Sequence, residues 1–186
     1  AAAVESAVQR LAAAGVRVVR RDPRWPPGAT ETSLMPLQHA GLAALYGEAF
    51  RADPDRFDPD VAAQIERGLA LTGTEVAAAM LLGSDVARAV AAAFDGVDLF
   101  AGPTVPCTAW PLDRLGPETI GGRAVPPRAH AVFTPFFNHA KVPAVSLPCG
   151  AGRAGLPVGL QIVAPRGRDR RLLAFAAFAE GILDAA

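Results

Sequence analysis

The sequence predicts an α/β protein whose two stretches follow different patterns. Residues 1–94 read as a mainly helical segment with one short strand, and residues 95–186 as a sheet-contributing segment with a C-terminal helix, together one domain. Three observations carry this prediction. Apolar residues recur at helical spacing before residue 94, and short apolar runs of strand length appear after it. The chain of 186 residues is 51% hydrophobic and 19% charged, enough apolar surface for a packed core.

A mean hydropathy of +0.25 excludes a disordered chain. Eighteen basic residues balance eighteen acidic ones, which removes the electrostatic case for nucleic acid or an anionic membrane. No apolar run approaches the roughly 18 residues of a membrane span, so no membrane partner is expected. Cys107 and Cys149 make no metal-ligand spacing with the three histidines. Neither a metal nor a cofactor is expected. In the cytoplasm, the expected compartment, both cysteines stay as thiols.

The elements follow in order. Val4, Val8 and Leu11 mark the turns of a first helix, which Gly15 is placed to end. Val16-Arg17-Val18-Val19 reads as a short strand, and Asp22 to Gly28, with three prolines and Trp25, as a loop packed by its indole. A helix is expected over Leu37 to Phe50. Asp58 before Pro59 is an N-cap with proline at the first helical position, opening a helix to about Leu71. Thr72 and Glu75 form a capping box, and the helix behind it runs to Phe94 with Val76, Met80, Ala87 and Phe94 along one face. Asp98-Leu99-Phe100-Ala101 is a buried-strand candidate. Residues 111–129, rich in proline and glycine, read as a long irregular loop of the kind that carries function. Ala144-Val145-Ser146-Leu147 and Val158 to Val163 are further strands, joined by hairpin-like turn chemistry over Cys149 to Gly155. Leu172, Phe175, Ala176, Ala179 and Leu183 give the last helix one apolar side.

No complete catalytic set is visible. None of the four serines (Ser6, Ser33, Ser84, Ser146) lies in a Gly-x-Ser-x-Gly elbow or a Ser-x-x-Lys arrangement. Lys141, the only lysine, precedes Ser146 by five residues across Pro143, a dyad by folding accident only. His139 and Cys149 could be drawn as an imidazole–thiol pair, but Cys149 ends an apolar strand rather than sitting near cations. No phosphate-cradling glycine motif occurs. Two amides stand out instead. Gln161 lies between Leu160 and Ile162 in a strand that should be buried, and Asn138 follows Phe136-Phe137 among core-like residues. Each either orients a ligand or ties down a loop, since an unpaired buried amide costs about 1–3 kcal/mol.

Asp98-Leu99-Phe100-Ala101-Gly102-Pro103-Thr104-Val105-Pro106 is similar to the D-x-x-x-x-P-T-x-P segment of the amidase signature enzymes, the first of three ordered segments that resemble that family. Residues 133–150 resemble T-x-x-x-N-x-x-x-x-P-A-x-S-x-P-x-G, and Gly155 to Val163 matches G-L-P-x-G-x-Q-x-x. Asp169 to Glu180 resembles the closing helix, whereas residues 1–94 are compatible but much less diagnostic. The resemblance implies a large mixed sheet covered by helices and an amide hydrolase. Its serine nucleophile is activated through a cis-peptide serine and an uncharged lysine, a state that burial promotes, and glycine-loop N–H groups hold the oxyanion. That machinery belongs to the family's amino-terminal half. Ala1-Ala2-Ala3-Val4-Glu5 opens straight into a helical pattern with no methionine or N-cap, so this chain is expected to lack that half and every catalytic residue.

What the resemblance leaves to this chain is a wall of the pocket for a small amide substrate. Thr104, Cys107 and Trp110, leaving a strand at its carboxyl end, are candidates for substrate contact. Asn138 and Gln161 join them as family-pattern residues. Two departures matter: His139-Ala140-Lys141 replaces a small apolar-glycine stretch, and Ala131 stands seven residues before Asn138, where the glutamine-transamidating branch has an acid. The second points to a general amidase. The readings set against an inert carboxyl-terminal part are an autonomous, non-catalytic α/β ligand-binding module and a small cysteine hydrolase using Cys149 and His139. A sheet cut from its neighbours would expose an edge, so self-association into a homo-oligomer is expected.

Overall fold

The computed structural model describes residues 2–184. Six α-helices and five strands are described: α1 (Ala2–Ala13), α2 (Glu31–Ala52), α3 (Pro59–Ala70), α4 (Gly73–Ala93), β1 (Phe100–Pro103), β2 (Thr119–Ile120), β3 (Arg123–Ala124), α5 (Pro135–His139), β4 (Ala144–Ala151), β5 (Pro157–Val163) and α6 (Asp169–Leu183). They divide into two compact units, Ala1–Arg24 with Ala87–Ala186, and Trp25–Val86.

In the first unit a three-stranded antiparallel sheet has the order β1-β5-β4. Val145 pairs with Ile162 and Leu147 with Leu160, so these side chains share a face. On that face Leu147, Cys149, Leu160 and Ile162 pack with Ala7 and Leu11 of α1 and with Leu172, Ala176, Ala179 and Leu183 of α6. The opposite face follows from the same period of two. It carries Phe100, Gly102, Gly159, Gln161, Val163, Ala144, Ser146 and Pro148. There the Phe100 ring meets Phe137 of α5 at 5.6 Å. Arg10 of α1 donates to the Ile182 carbonyl near the end of α6, and Arg171 pairs with Asp98 at 2.9 Å. Gly15, at φ 96°, ends α1 as expected: Val16 N–H bonds the Leu11 carbonyl and Gly15 N–H the Ala12 carbonyl.

The strand expected at Val16–Val19 does not form. Its residues pair with nothing as a ladder, and Val18 and Val19 are exposed. Arg20 instead bonds Glu5, and Arg21 donates to the Asp95 carbonyl, which fixes the segment as an extended connector. The 111–129 stretch is also more regular than expected. Gly121 and Gly122, both at positive φ, turn β2 back onto β3, and a 3-10 turn covers Pro127–Ala131.

The second unit holds α2, α3 and the start of α4. α2 begins at Glu31, six residues earlier than expected, because Thr30 and Ser33 form a reciprocal capping box and the helix accepts Pro36 in its second turn. Asp58 caps α3 through Asp60 N–H at 2.9 Å, and Thr72 with Glu75 caps α4, both as expected. The buried face of α4 is not the expected one. Ala79, Val86 and Val90 are buried, whereas Met80 is 60% exposed. Gly83 of α4 lies next to Leu37 and Leu34 of α2, at ordinary van der Waals spacing for a Cβ, within this unit.

α4 also corrects the expectation that no apolar run reaches span length. By length and composition, at hydropathy 1.5, it could cross a membrane, although a single helix of that kind carries little weight. Asp85 and Arg88 lie within it.

Candidate functional site

The expected pocket wall begins where β1 stops. Thr104 N–H extends the ladder by donating to the Gly159 carbonyl at 3.1 Å, and the chain then leaves the sheet. Over the next residues it lines an open groove of about 260 Å³ with Cys107, Thr108, Trp110, Arg114 and Glu118. Thr108 is held against the far end of the β4–β5 hairpin, so near Gly152 that a Cβ there would stand 2.8 Å from its methyl.

Trp110 anchors the other side. Its indole Nε1 donates to the Arg114 carbonyl at 2.9 Å, and its ring lies 4.6 Å from that of His130. His130 is held in turn by its Nδ1 against the Pro127 carbonyl at 3.0 Å. A Cβ on Gly116 would collide with that same carbonyl, so the segment can pass only as glycine. Arg114 and Glu118 pair at 2.7 Å along the rim. The groove thus sets Trp110 and two prolines beside Cys107, two threonines and one compensated charge pair.

The five expected site residues do not converge. Cys107 and Trp110 line the groove, whereas Thr104 bonds Ser146 and is not among the residues lining it. Gln161 is buried, 4% exposed, on β5, directly between Gly102 and Ser146 in register. Asn138 corrects its expectation: it is exposed on α5 rather than enclosed by core residues, while its backbone carbonyl accepts from Lys141 N–H. Lys141 takes φ 55° at that turn. Sequence reasoning missed Arg114, Glu118 and His130. The Arg114–Glu118 spacing of four and the Gly121-Gly122 pair were the signals available for the local part of that order.

Ser146 Oγ bonds Thr104 Oγ1 at 2.6 Å, not Lys141. Cys149 is buried in the α1–α6 core, which pushes its thiol pKa up, and burial pushes Cys107 up as well. Burial also lowers the His139 pKa, and no hydrogen bond links that imidazole to Cys149 among the described residues. No cluster of three or more metal-ligating side chains occurs among the described residues.

Known proteins match this chain, some of them along nearly its whole length. A 2-amino-5-chloromuconic acid deaminase from Comamonas testosteroni is 29% identical over 189 residues, covering 98% of this chain and 39% of that protein. One subunit of the glutamyl-tRNA(Gln) amidotransferase from Aromatoleum aromaticum is 40% identical over 91 residues, covering 47% of this chain and 17% of that protein. The crystal structure of an amidase superposes with a TM-score of 0.82 at 28% identity, covering 97% of this chain and 42% of the other. The chain thus spans about two fifths of the deaminase and of the amidase, and less of the amidotransferase subunit. Residues 1–173 match the family model named Amidase, and the chain belongs to that family.

Proposed function

We propose that this chain forms part of an enzyme that hydrolyses a carboxylic amide to an acid and ammonia through a serine acyl-enzyme. The serine–serine–lysine machinery lies on polypeptide outside the 186 residues, and this portion supplies a wall of the substrate pocket. One observation carries the reading: in a chain matching the Amidase family over residues 1–173, the one serine near the expected site is committed to Thr104. A nucleophile needs a base within about 2.6–3.2 Å, and the partner at that distance from Ser146 is the Thr104 hydroxyl.

Each residue then has a modest role. The exposed parts of Trp110 and the prolines around it hold the apolar portion of the substrate, and Cys107, kept as a thiol by burial, is a small filler. Thr104 holds the loop. Asn138 and Gln161, which lie off the groove, serve local structure. Ala131, at the end of the 3-10 turn, supports a general amidase over a glutamine-transamidating one.

The test is ammonia release from simple carboxamides and anilides, measured for this chain alone and together with the coding sequence that precedes Ala1. The chain alone is expected to be inert and the longer polypeptide active. Enzyme-like turnover by the chain alone would overturn the reading, as would a longer polypeptide with no amide hydrolysis.

A further inference from the structure

The hydrogen bond between Thr104 and Ser146 joins the two outer strands of the sheet across the middle one. Thr104 follows β1 and Ser146 lies in β4, with β5 between them. Their hydroxyl oxygens meet at 2.6 Å directly above Gly159. A Cβ at Gly159 would stand 2.6 Å from Ser146 Oγ and 2.7 Å from Thr104 Oγ1, closer than real Cβ contacts allow. The bridge exists because the central strand presents no side chain at that point.

The bridge sits at the residue where the chain changes direction. Pro103 and Pro106 fix their own φ angles, so Thr104 and Val105 are the positions at which the exit from β1 is set. From there the chain runs to Thr108, packed on Gly152, and to Trp110, bonded to Arg114. Cys107 lies between Thr104 and these anchors and lines the groove.

We propose that Thr104 and Ser146, bridged over Gly159, are positioning residues that aim the Cys107–Trp110 loop and so set the shape of the groove. The consequence for catalysis rests on the groove being a pocket wall. The geometric claim does not, and it is tested first.

The experiment is alkylation of the intact 186-residue chain by iodoacetamide under native conditions, with both thiols followed by mass spectrometry of the same sample. Cys107 reports the loop. Cys149, buried under α1 and α6, reports the unit as a whole. Thr104→Val removes the hydroxyl at nearly constant shape, and Ser146→Ala removes the other partner. Each is expected to raise the Cys107 rate at least threefold with Cys149 unchanged. The double variant should add nothing further, and Thr104→Ser should restore the original rate. Cys107 unchanged, or both thiols accelerating together, would overturn the proposal, the second outcome marking general loosening. If the thiol result holds but the longer polypeptide hydrolyses no amide, the pocket-wall reading fails and the positioning claim stands. In an active longer polypeptide, Thr104→Val should raise KM more than it lowers kcat.

Discussion

Gly68→Ala should unfold the second unit at a markedly lower urea concentration, although alanine is the better helix former. α2 and α3 touch where Gly68 faces the backbone of α2. A Cβ there would overlap the His39 carbonyl and stand 2.8 Å from the Ala43 Cβ. A backbone carbonyl has no rotamer to escape into, so the two helices must separate. Overpacking of this kind costs about 1–3 kcal/mol, more when backbone has to move. The intrinsic gain from replacing glycine in a helix is about 1 kcal/mol. With a rigid backbone carbonyl as the obstacle the cost lies at the upper end, about 3 kcal/mol. A net loss of about 2 kcal/mol follows, which lowers the folded-to-unfolded ratio roughly 30-fold. With an m-value of about 1 kcal/mol/M for a unit of this size, the urea midpoint falls by about 2 M. Trp25 lies in this unit and Trp110 in the other, so Trp25 emission in a Trp110→Phe background follows the right transition. Gly41→Ala is the control: nothing lies within 4 Å of its Cβ position, so the same exchange on α2 should raise the midpoint by about 0.5–1 M. A Gly68→Ala midpoint at or above the parent's would refute the close approach of α2 and α3.

Three further outcomes are expected. Thr72 N–H and hydroxyl hold the Glu75 carboxyl below the usual carboxylate range, so its contribution is present above the unfolded pKa and lost as pH falls through the folded one. Glu75→Gln should therefore flatten the acid limb of a stability–pH curve, and an unchanged limb would show that the capping box is not formed. Burial lowers the His139 pKa, so the unfolded chain binds that proton more readily and stability should rise with pH through about 6.5, its unperturbed value. Urea midpoints at pH 5.5 and 7.5 should converge in His139→Gln; an equal difference in the parent and the variant would assign the slope elsewhere. Finally, β1 and β4 each carry one neighbour among the described residues, and such edges pair between chains. Sedimentation of the chain alone should show self-association, and a monomer at high concentration would count against it.

What could be read from the sequence was governed by chemistry within one turn or one hairpin. Asp58-Pro59 and Thr72 with Glu75 announce helix starts because the capping bonds reach only two or three residues. Gly15, the β4–β5 hairpin and the apolar side of α6 are legible for the same reason. The start of α2 was obscured by Pro36, which reads as a breaker unless the Thr30–Ser33 cap is seen to hold the helix before it. Val16–Val19 has strand composition, but a strand requires a partner, and composition cannot supply one. On α4, hydropathy favours Met80, whereas Ala79, Val86 and Val90 are the buried residues, a choice set by tertiary neighbours rather than by residue type. The site was legible only as a region. Cys107 and Trp110 line one groove, but Trp110 on His130 and Thr104 on Ser146 are contacts across 20 and 42 residues, beyond any local pattern.

Gly159 shows how the two faces of one sheet make different demands on one strand. On the side of α1 and α6, Leu160 and Ile162 fill a closed apolar core with both fully buried. On the other side the same strand presents Gly159 and Gln161 beside two hydroxyls. Glycine in a strand interior costs about 0.5–1 kcal/mol relative to alanine. That cost is usually offset by a left-handed turn, and Gly159 is not among the glycines at positive φ. Backbone conformation therefore does not call for glycine here; space does. The atoms occupying that space are the oxygens of Thr104 and Ser146, each from a different neighbouring strand. The stability given up at Gly159 is thus tied to a bond that fixes where a loop leaves the sheet. An ordinary strand position filled by alanine would hold the three strands together as well, but it would leave the direction of that loop unset.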